Sequence, residues 1–241
     1  MCLLKAYGME GSVIMKKSLI GLIATGFILA AALPALAVVT PMSGTSTPNG
    51  NFVYIPSQGS PASTIRILSG TGSGKAEIGT QSTGTACPPA SMVTSPNGAY
   101  LFVVAGKYVK SFSINANGTL NLLQSLQLAT LTYGKQCAIT PDGNYLYVVN
   151  STKLYVVNVS SPAGMSIANS FTLPAVNPFG VAVKPDGTRL YVSDMEPGNT
   201  AGNVYVYNIT ASKISPSLIQ DISGIPTASY LAVILAEINY L

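Results

Sequence analysis

One short phrase recurs four times in this chain, and the recurrence limits the fold more than any other feature. TPNGNFVYIP occupies 47–56, SPNGAYLFVV 95–104, TPDGNYLYVV 140–149 and KPDGTRLYVS 184–193. Aligned on Pro48, Pro96, Pro141 and Pro185, the copies lie 48, 45 and 44 residues apart. A period in the forties marks stacked supersecondary units, and both helical arrays and β-propellers have such periods. The residues decide between them. Each P-[ND]-G sets a tight turn, because proline fixes φ at its own position and glycine accepts positive φ without a Cβ clash. An aromatic and β-branched run follows each turn: FVYI (52–55), YLFVV (100–104), YLYVV (145–149) and LYV (190–192). Such runs are strands.

Three further runs complete each repeat. Short apolar segments precede the later turns, as in SMVT (91–94), CAIT (137–140) and GVAV (180–183), and their small side chains suit an inner strand crowded near an axis. A third strand is expected at STIRIL (63–68), YVKSFSI (108–114), KLYVVNV (153–159) and NVYVYNI (203–209). A fourth falls at KAEIGT (75–80), LNLLQSLQL (120–128), SIANSFTL (166–173) and SLIQDI (217–222). Four antiparallel strands per repeat make a propeller blade. The expected fold is all-β: blades at about 38–85, 86–130, 131–174 and 175–223, then the start of a fifth at 224–241. The composition agrees, with 48% hydrophobic but only 8% charged residues, 23 Gly and 16 Pro, as in a turn-rich β-protein.

The pattern P-D-G-x-x-L-Y-V followed by a strand such as NVYVYNI resembles the YVTN-type β-propeller repeat of bacterial and archaeal surface proteins. KYVKSFSINANGTLNLLQSL (107–126), where an S-F-x-I strand meets an N-G-T-L turn, resembles the seven-bladed lactonase-like family. The resemblance covers about 45–222 and implies a closed propeller of seven blades. It also raises lactonase activity as an alternative function. That family often carries His-Pro ahead of its turn. Here the positions are Thr47, Ser95, Thr140 and Lys184, so no catalytic set carries over.

The two ends carry separate expectations. Lys16-Lys17, the apolar LIGLIATGFILAAAL (19–33) and Ala35-Leu36-Ala37 form a secretory signal, with Met15 the natural start; residues 1–37 are then an extension and leader. The competing reading is a retained anchor running through Val38-Val39. Export places the product in the periplasm, at the cell surface or outside the cell. It also raises a disulfide between Cys87 and Cys137, each shortly before a P-[ND]-G turn, against two unpaired thiols. At the other end, LAVILAEINYL (231–241) reads against CAITPDGNYL (137–146), with ILAEI where T-P-D-G belongs. The expectation is a truncated propeller; the alternative is an open arc that self-associates through its exposed blade edges.

The chain has no histidine, which removes the commonest general base and the commonest metal ligand. Asp142 and Asp186 occupy the turn position that Asn49 and Asn97 fill in other copies, so they are structural. Asp194, Glu196, Asn199 and Asn203 offer oxygen atoms but match no calcium loop, and no metal or cofactor is expected. GTGSGK (70–75) lacks the spacing of a phosphate loop and reads as a hairpin turn. Sequons fall at Asn117, Asn150, Asn158 and Asn208, as chance matches in Asn-rich turns. The net charge of +4 comes from basic residues that are scattered singly, so no nucleic-acid stripe is visible. The reading is a binding or scaffolding module for a protein or carbohydrate ligand, without a membrane role once the leader is removed. Its contacts are expected on loops before inner strands and after second strands, at Lys135, Asn150, Asn177 and Asp194. A non-functional fragment is the remaining alternative.

Overall fold

The P-[ND]-G turns organise the molecule as the repeat demands. A computed structural model describes residues 43–57, 63–70, 76–84, 87–128, 134–175, 177–195, 202–225 and 231. The leader and nearly all of the expected fifth blade lie outside these. Blade 1 comprises β1 (Thr45–Ser46), β2 (Phe52–Ser57), β3 (Thr64–Ser69) and β4 (Glu77–Ser82). Blade 2 comprises β5 (Pro89–Thr94), β6 (Tyr100–Ala105), β7 (Tyr108–Ile114) and β8 (Leu120–Gln127). Blade 3 comprises β9 (Cys137–Ile139), β10 (Tyr145–Val149), β11 (Lys153–Asn158) and β12 (Ser166–Thr172), with a 3-10 turn at Pro162–Gly164. Blade 4 comprises β13 (Pro178–Val183), β14 (Arg189–Asp194), β15 (Gly202–Asn208) and β16 (Ser217–Ile225). Each blade is one antiparallel sheet with its strands in chain order. β16 runs past the boundary expected at 223, so Gly224 and Ile225 belong to the fourth blade.

The repeat turns share one hydrogen-bond pattern. In the first three copies the hydroxyl of Thr47, Ser95 or Thr140 donates to the side-chain oxygen of Asn49, Asn97 or Asp142. The same hydroxyl accepts from the backbone N–H five residues on, at Phe52, Tyr100 or Tyr145. Asn and Asp thus serve interchangeably, and the two aspartates are turn residues. The glycines Gly50, Gly98, Gly143 and Gly187 all sit at φ between +71° and +75°. They are needed for a second reason. A Cβ on Gly98 would fall 3.2 Å from Pro48 Cδ, and one on Gly143 3.2 Å from Pro96 Cδ. Pro48, Pro96 and Pro141 therefore each rest on the glycine of the next blade.

The core lies between blades. Tyr54, Ile65 and Ile67 of blade 1 pack on Met92, Leu101, Val103 and Phe112 of blade 2. Phe102, Val104 and Val109 pack on Leu146, Val148, Tyr155 and Val157. Tyr147, Val149, Leu154 and Val156 pack on Leu190, Val192, Tyr205 and Tyr207. Alternate residues of each middle strand thus serve opposite neighbours, as the period of two requires. Each such burial contributes about 1.5–3 kcal/mol. Inner strands β1, β5, β9 and β13 touch in succession, and outermost strands carry the exposed Ile78, Leu122, Ile167 and Leu218. Among the described residues no helix is long and apolar enough to cross a membrane.

The disulfide weighed between Cys87 and Cys137 is not present. Cys137 opens β9 and points into the layer between blades 2 and 3, where its Sγ lies 3.5 Å from Ser91 Oγ. The blade 2 residue that meets it is therefore Ser91 on the inner strand, not Cys87 on the approach to it.

Candidate functional site

Second strands end, and inner strands begin, on the edge opposite the P-[ND]-G turns. This upper face carries all four candidate contacts, and the structure joins three of them. Lys135 lies just before β9, Asn177 just before β13, and Asp194 closes β14. The Lys135 ammonium donates to Asn177 Oδ1, crossing from blade 3 to blade 4. Asn177 N donates to Asp194 Oδ1 at 2.6 Å, and Asn177 Nδ2 donates to the Met195 carbonyl at 2.7 Å. Asp194 is only 2% exposed. Asn177 is therefore the hub, bonded on three sides.

Phe179 completes the group. Lys135 Nζ stands 5.4 Å from the centroid of its ring, within cation–π range. Burial lowers the pKa of Lys135, and the negative charge of Asp194 pulls it part of the way back. Gln136 adds a second tie across the same boundary, its Oε1 accepting from Val181 N at 2.8 Å. The result is a half-buried cation against an aromatic ring, held by an amide and a buried carboxylate.

Asn150 stands apart. It is 1% exposed, and its Oδ1 accepts from the backbone N–H of Thr152 at 3.0 Å and of Lys153 at 2.7 Å. Its oxygen shapes the β10–β11 turn, and that burial also closes the sequon at Asn150 in the folded chain. Of the other acids, Asp142 and Asp186 lie on the lower edge, paired with Lys213 and Lys184. Arg66 pairs with Glu77 across β3 and β4, and Arg189 donates to Asn208 Oδ1. Both arginines are partly buried. Among the described residues no group of three or more Cys, Asp or Glu could hold a metal ion. Glu196 and Asn199 of the calcium reading lie outside those residues, as does most of GTGSGK, which joins the antiparallel β3 and β4.

Sequence reasoning missed Phe179 and Gln136. A signal was present. Counting back from each turn proline, Ala90, Lys135 and Phe179 share one repeat position. Three unlike residues stand there while the neighbouring turn positions hardly vary, which marks a place the fold does not dictate.

No family model matches the sequence, and no curated protein does either. Solved structures do share the fold. A periplasmic gluconolactonase from Pseudomonas aeruginosa superposes with a TM-score of 0.68 at 17% identity, over 79% of this chain and 56% of that one. Hydrazine synthase from Kuenenia stuttgartiensis gives 0.63 at 18% identity, over 82% and 53%. A protein from Bacteroides fragilis gives 0.68 at 15% identity, over 79% and 57%. The chain thus spans a little over half the length of these proteins and shares their β-propeller fold.

Proposed function

We propose that the chain is an exported β-propeller repeat protein acting as a binding or scaffolding module, with its ligand, a protein or a carbohydrate, held on the upper face. One observation carries this reading: Lys135, Asn177 and Asp194 are bonded to one another across a blade boundary. A general base must reach the substrate's proton with a free lone pair. Asp194 instead is buried and fixes a backbone amide. A surface whose polar groups are ordered in advance suits binding, because little side-chain entropy remains to be lost.

Hydrolysis of a sugar lactone is the second reading. It draws on the likeness in fold to a periplasmic gluconolactonase and on the charged pair Lys135 and Asp194 on the face. Fold likeness alone carries no site. Gluconolactone hydrolysis followed at neutral pH separates the two. The binding reading expects the rate with protein to equal the spontaneous rate. A rate well above it, lost in Lys135→Gln, establishes the hydrolase instead.

A further inference from the structure

The basic residues look scattered along the sequence, and folding sorts them. On the lower edge Lys184 and Lys213 each pair with an aspartate of the repeat turns. On the upper face stand Lys107, Lys135 and Lys153, and among the described residues none has a carboxylate within ion-pair distance; Lys110 is buried on β7 and donates to Ser125 Oγ at 3.0 Å. Asp194 lies beside Lys135 and offsets part of one charge. Asp221 sits away on β16, and Glu196 belongs to a loop outside the described residues. The lower lysines are balanced, while the described part of the upper face is positive.

Backbone hydrogen bonds lock the lysine-bearing turns side by side. Gly134 N donates to the Gly106 carbonyl at 2.9 Å, setting the approach to Lys135 against the turn that carries Lys107. Lys135 N donates to the Val149 carbonyl at 2.8 Å, and Asn150 Oδ1 accepts from Lys153 N at 2.7 Å, which brings in the third turn. Aromatic rings lie among them. Lys107 and Lys110 stand 5.7 and 5.6 Å from the centroid of Tyr108, as Lys135 does at 5.4 Å from Phe179. Both rings are partly exposed.

We propose that this face binds an acidic polysaccharide, with carboxylates at Lys107, Lys135 and Lys153 and sugar rings against Tyr108 and Phe179. The proposal rests on reading the face as a binding surface. The number of lysines favours this ligand over a nucleic acid. A nucleic-acid binder that makes about 6–10 phosphate contacts needs roughly two to three times the lysines this face presents. A polymer with one carboxylate per sugar spaces its charges more widely, and the faces of its rings suit aromatic side chains.

The test measures binding of the full chain to fluorescent polygalacturonate, a neutral glucan and a single-stranded oligonucleotide of equal charge number. Polygalacturonate should bind best at low salt and be released near ~0.5 M NaCl, where screening shortens the field to a few ångströms. Lys107→Gln/Lys153→Gln should weaken binding about tenfold and leave the melting temperature unchanged, while Lys184→Gln on the lower edge should leave binding unchanged. Adding Lys135→Gln should weaken it further. Polygalacturonate bound no better than the glucan, or bound equally by the double variant, overturns the proposal. Tighter binding of the oligonucleotide overturns the choice of ligand. Binding of the neutral glucan alone defeats the anionic assignment but leaves the module reading standing, whereas lactone turnover defeats that reading itself.

Discussion

Replacing Asp194 with alanine tests the architecture of the upper face directly. The side chain is 2% exposed, and its Oδ1 takes the Asn177 amide proton at 2.6 Å. Alanine leaves that N–H without its acceptor in a buried place, a loss of about 1–3 kcal/mol. It also removes the negative charge nearest the half-buried Lys135 ammonium, whose pKa burial already lowers. No carboxylate of the described residues lies within ion-pair distance of Lys135, which keeps Asn177 Oδ1 and the Phe179 ring, so the lost charge adds little. The expected total is about 2–3 kcal/mol, the upper part of the hydrogen-bond range. For a domain of this size that lowers the melting temperature by roughly 5–10 °C. Urea denaturation gives the free energy, and hydrogen exchange of the Asn177 amide reports the local loss. Asp194→Asn keeps an oxygen acceptor and should cost about half as much. A melting temperature within a degree of wild type for the alanine variant, with the Asn177 amide still protected, would refute the view that Asp194 holds the face together.

Further outcomes follow from other parts of the fold. Gly118 sits at φ +84°, where a Cβ would fall 2.4 Å from Phe52 Cδ1 of the neighbouring blade; Gly118→Ala should destabilise by about 2–4 kcal/mol, seen as a shifted urea midpoint. At Asp142 burial pushes the carboxyl pKa up, but hydrogen bonds from Lys213, Thr140 and Asn144 outweigh it and hold the group well below the usual carboxylate range. Asp186 is held low by Lys184 and Thr188. A depressed folded pKa gives stability that is present above about pH 4 and is lost as pH falls further. Stability should therefore be level near neutrality and drop below pH 4, and Asp142→Asn should flatten the drop; an unchanged acid limb in that variant counts against the assignment. Burial pushes the Cys137 thiol up to about 12, so it should resist thiol reagents until the chain unfolds. A reductant should leave the melting curve where it was, since no disulfide joins Cys87 to Cys137, and a clear downward shift would show one after all.

The parts of this protein written in local chemistry were legible in its sequence. A proline that fixes φ, a glycine that accepts positive φ and an Asn or Asp that bonds its own backbone specify a turn wherever they occur together. The β-branched and aromatic runs after them specify strands, and the period specifies how many strands make a blade. Fifteen of the sixteen described strands fall where these signals put them, and β1, ahead of the first turn, had no such signal. The equivalence of Asn49, Asn97, Asp142 and Asp186 was legible for the same reason, since turn chemistry needs an oxygen and not a charge. Asn150 was misjudged because its place after a strand said loop, while its amide oxygen turned inward to cap the next strand.

What only the tertiary structure decided is everything that depends on one blade lying beside another. The sequence offered Cys87 and Cys137 as a pair, each shortly before a repeat turn, but packing of inner strand on inner strand set Cys137 against Ser91. The repeat glycines revealed half their purpose in sequence, as turn residues; their service as a seat for the preceding blade's proline needs three dimensions. Lysines that stand 28 and 18 residues apart at 107, 135 and 153 looked isolated. They share a face because each repeat returns the chain to the same edge, so residues one blade apart in sequence become neighbours in space. Local propensity acts over a few residues and can be read along the chain. The field and contacts of a surface sum over residues brought together from different blades, and no stretch of sequence carries that sum.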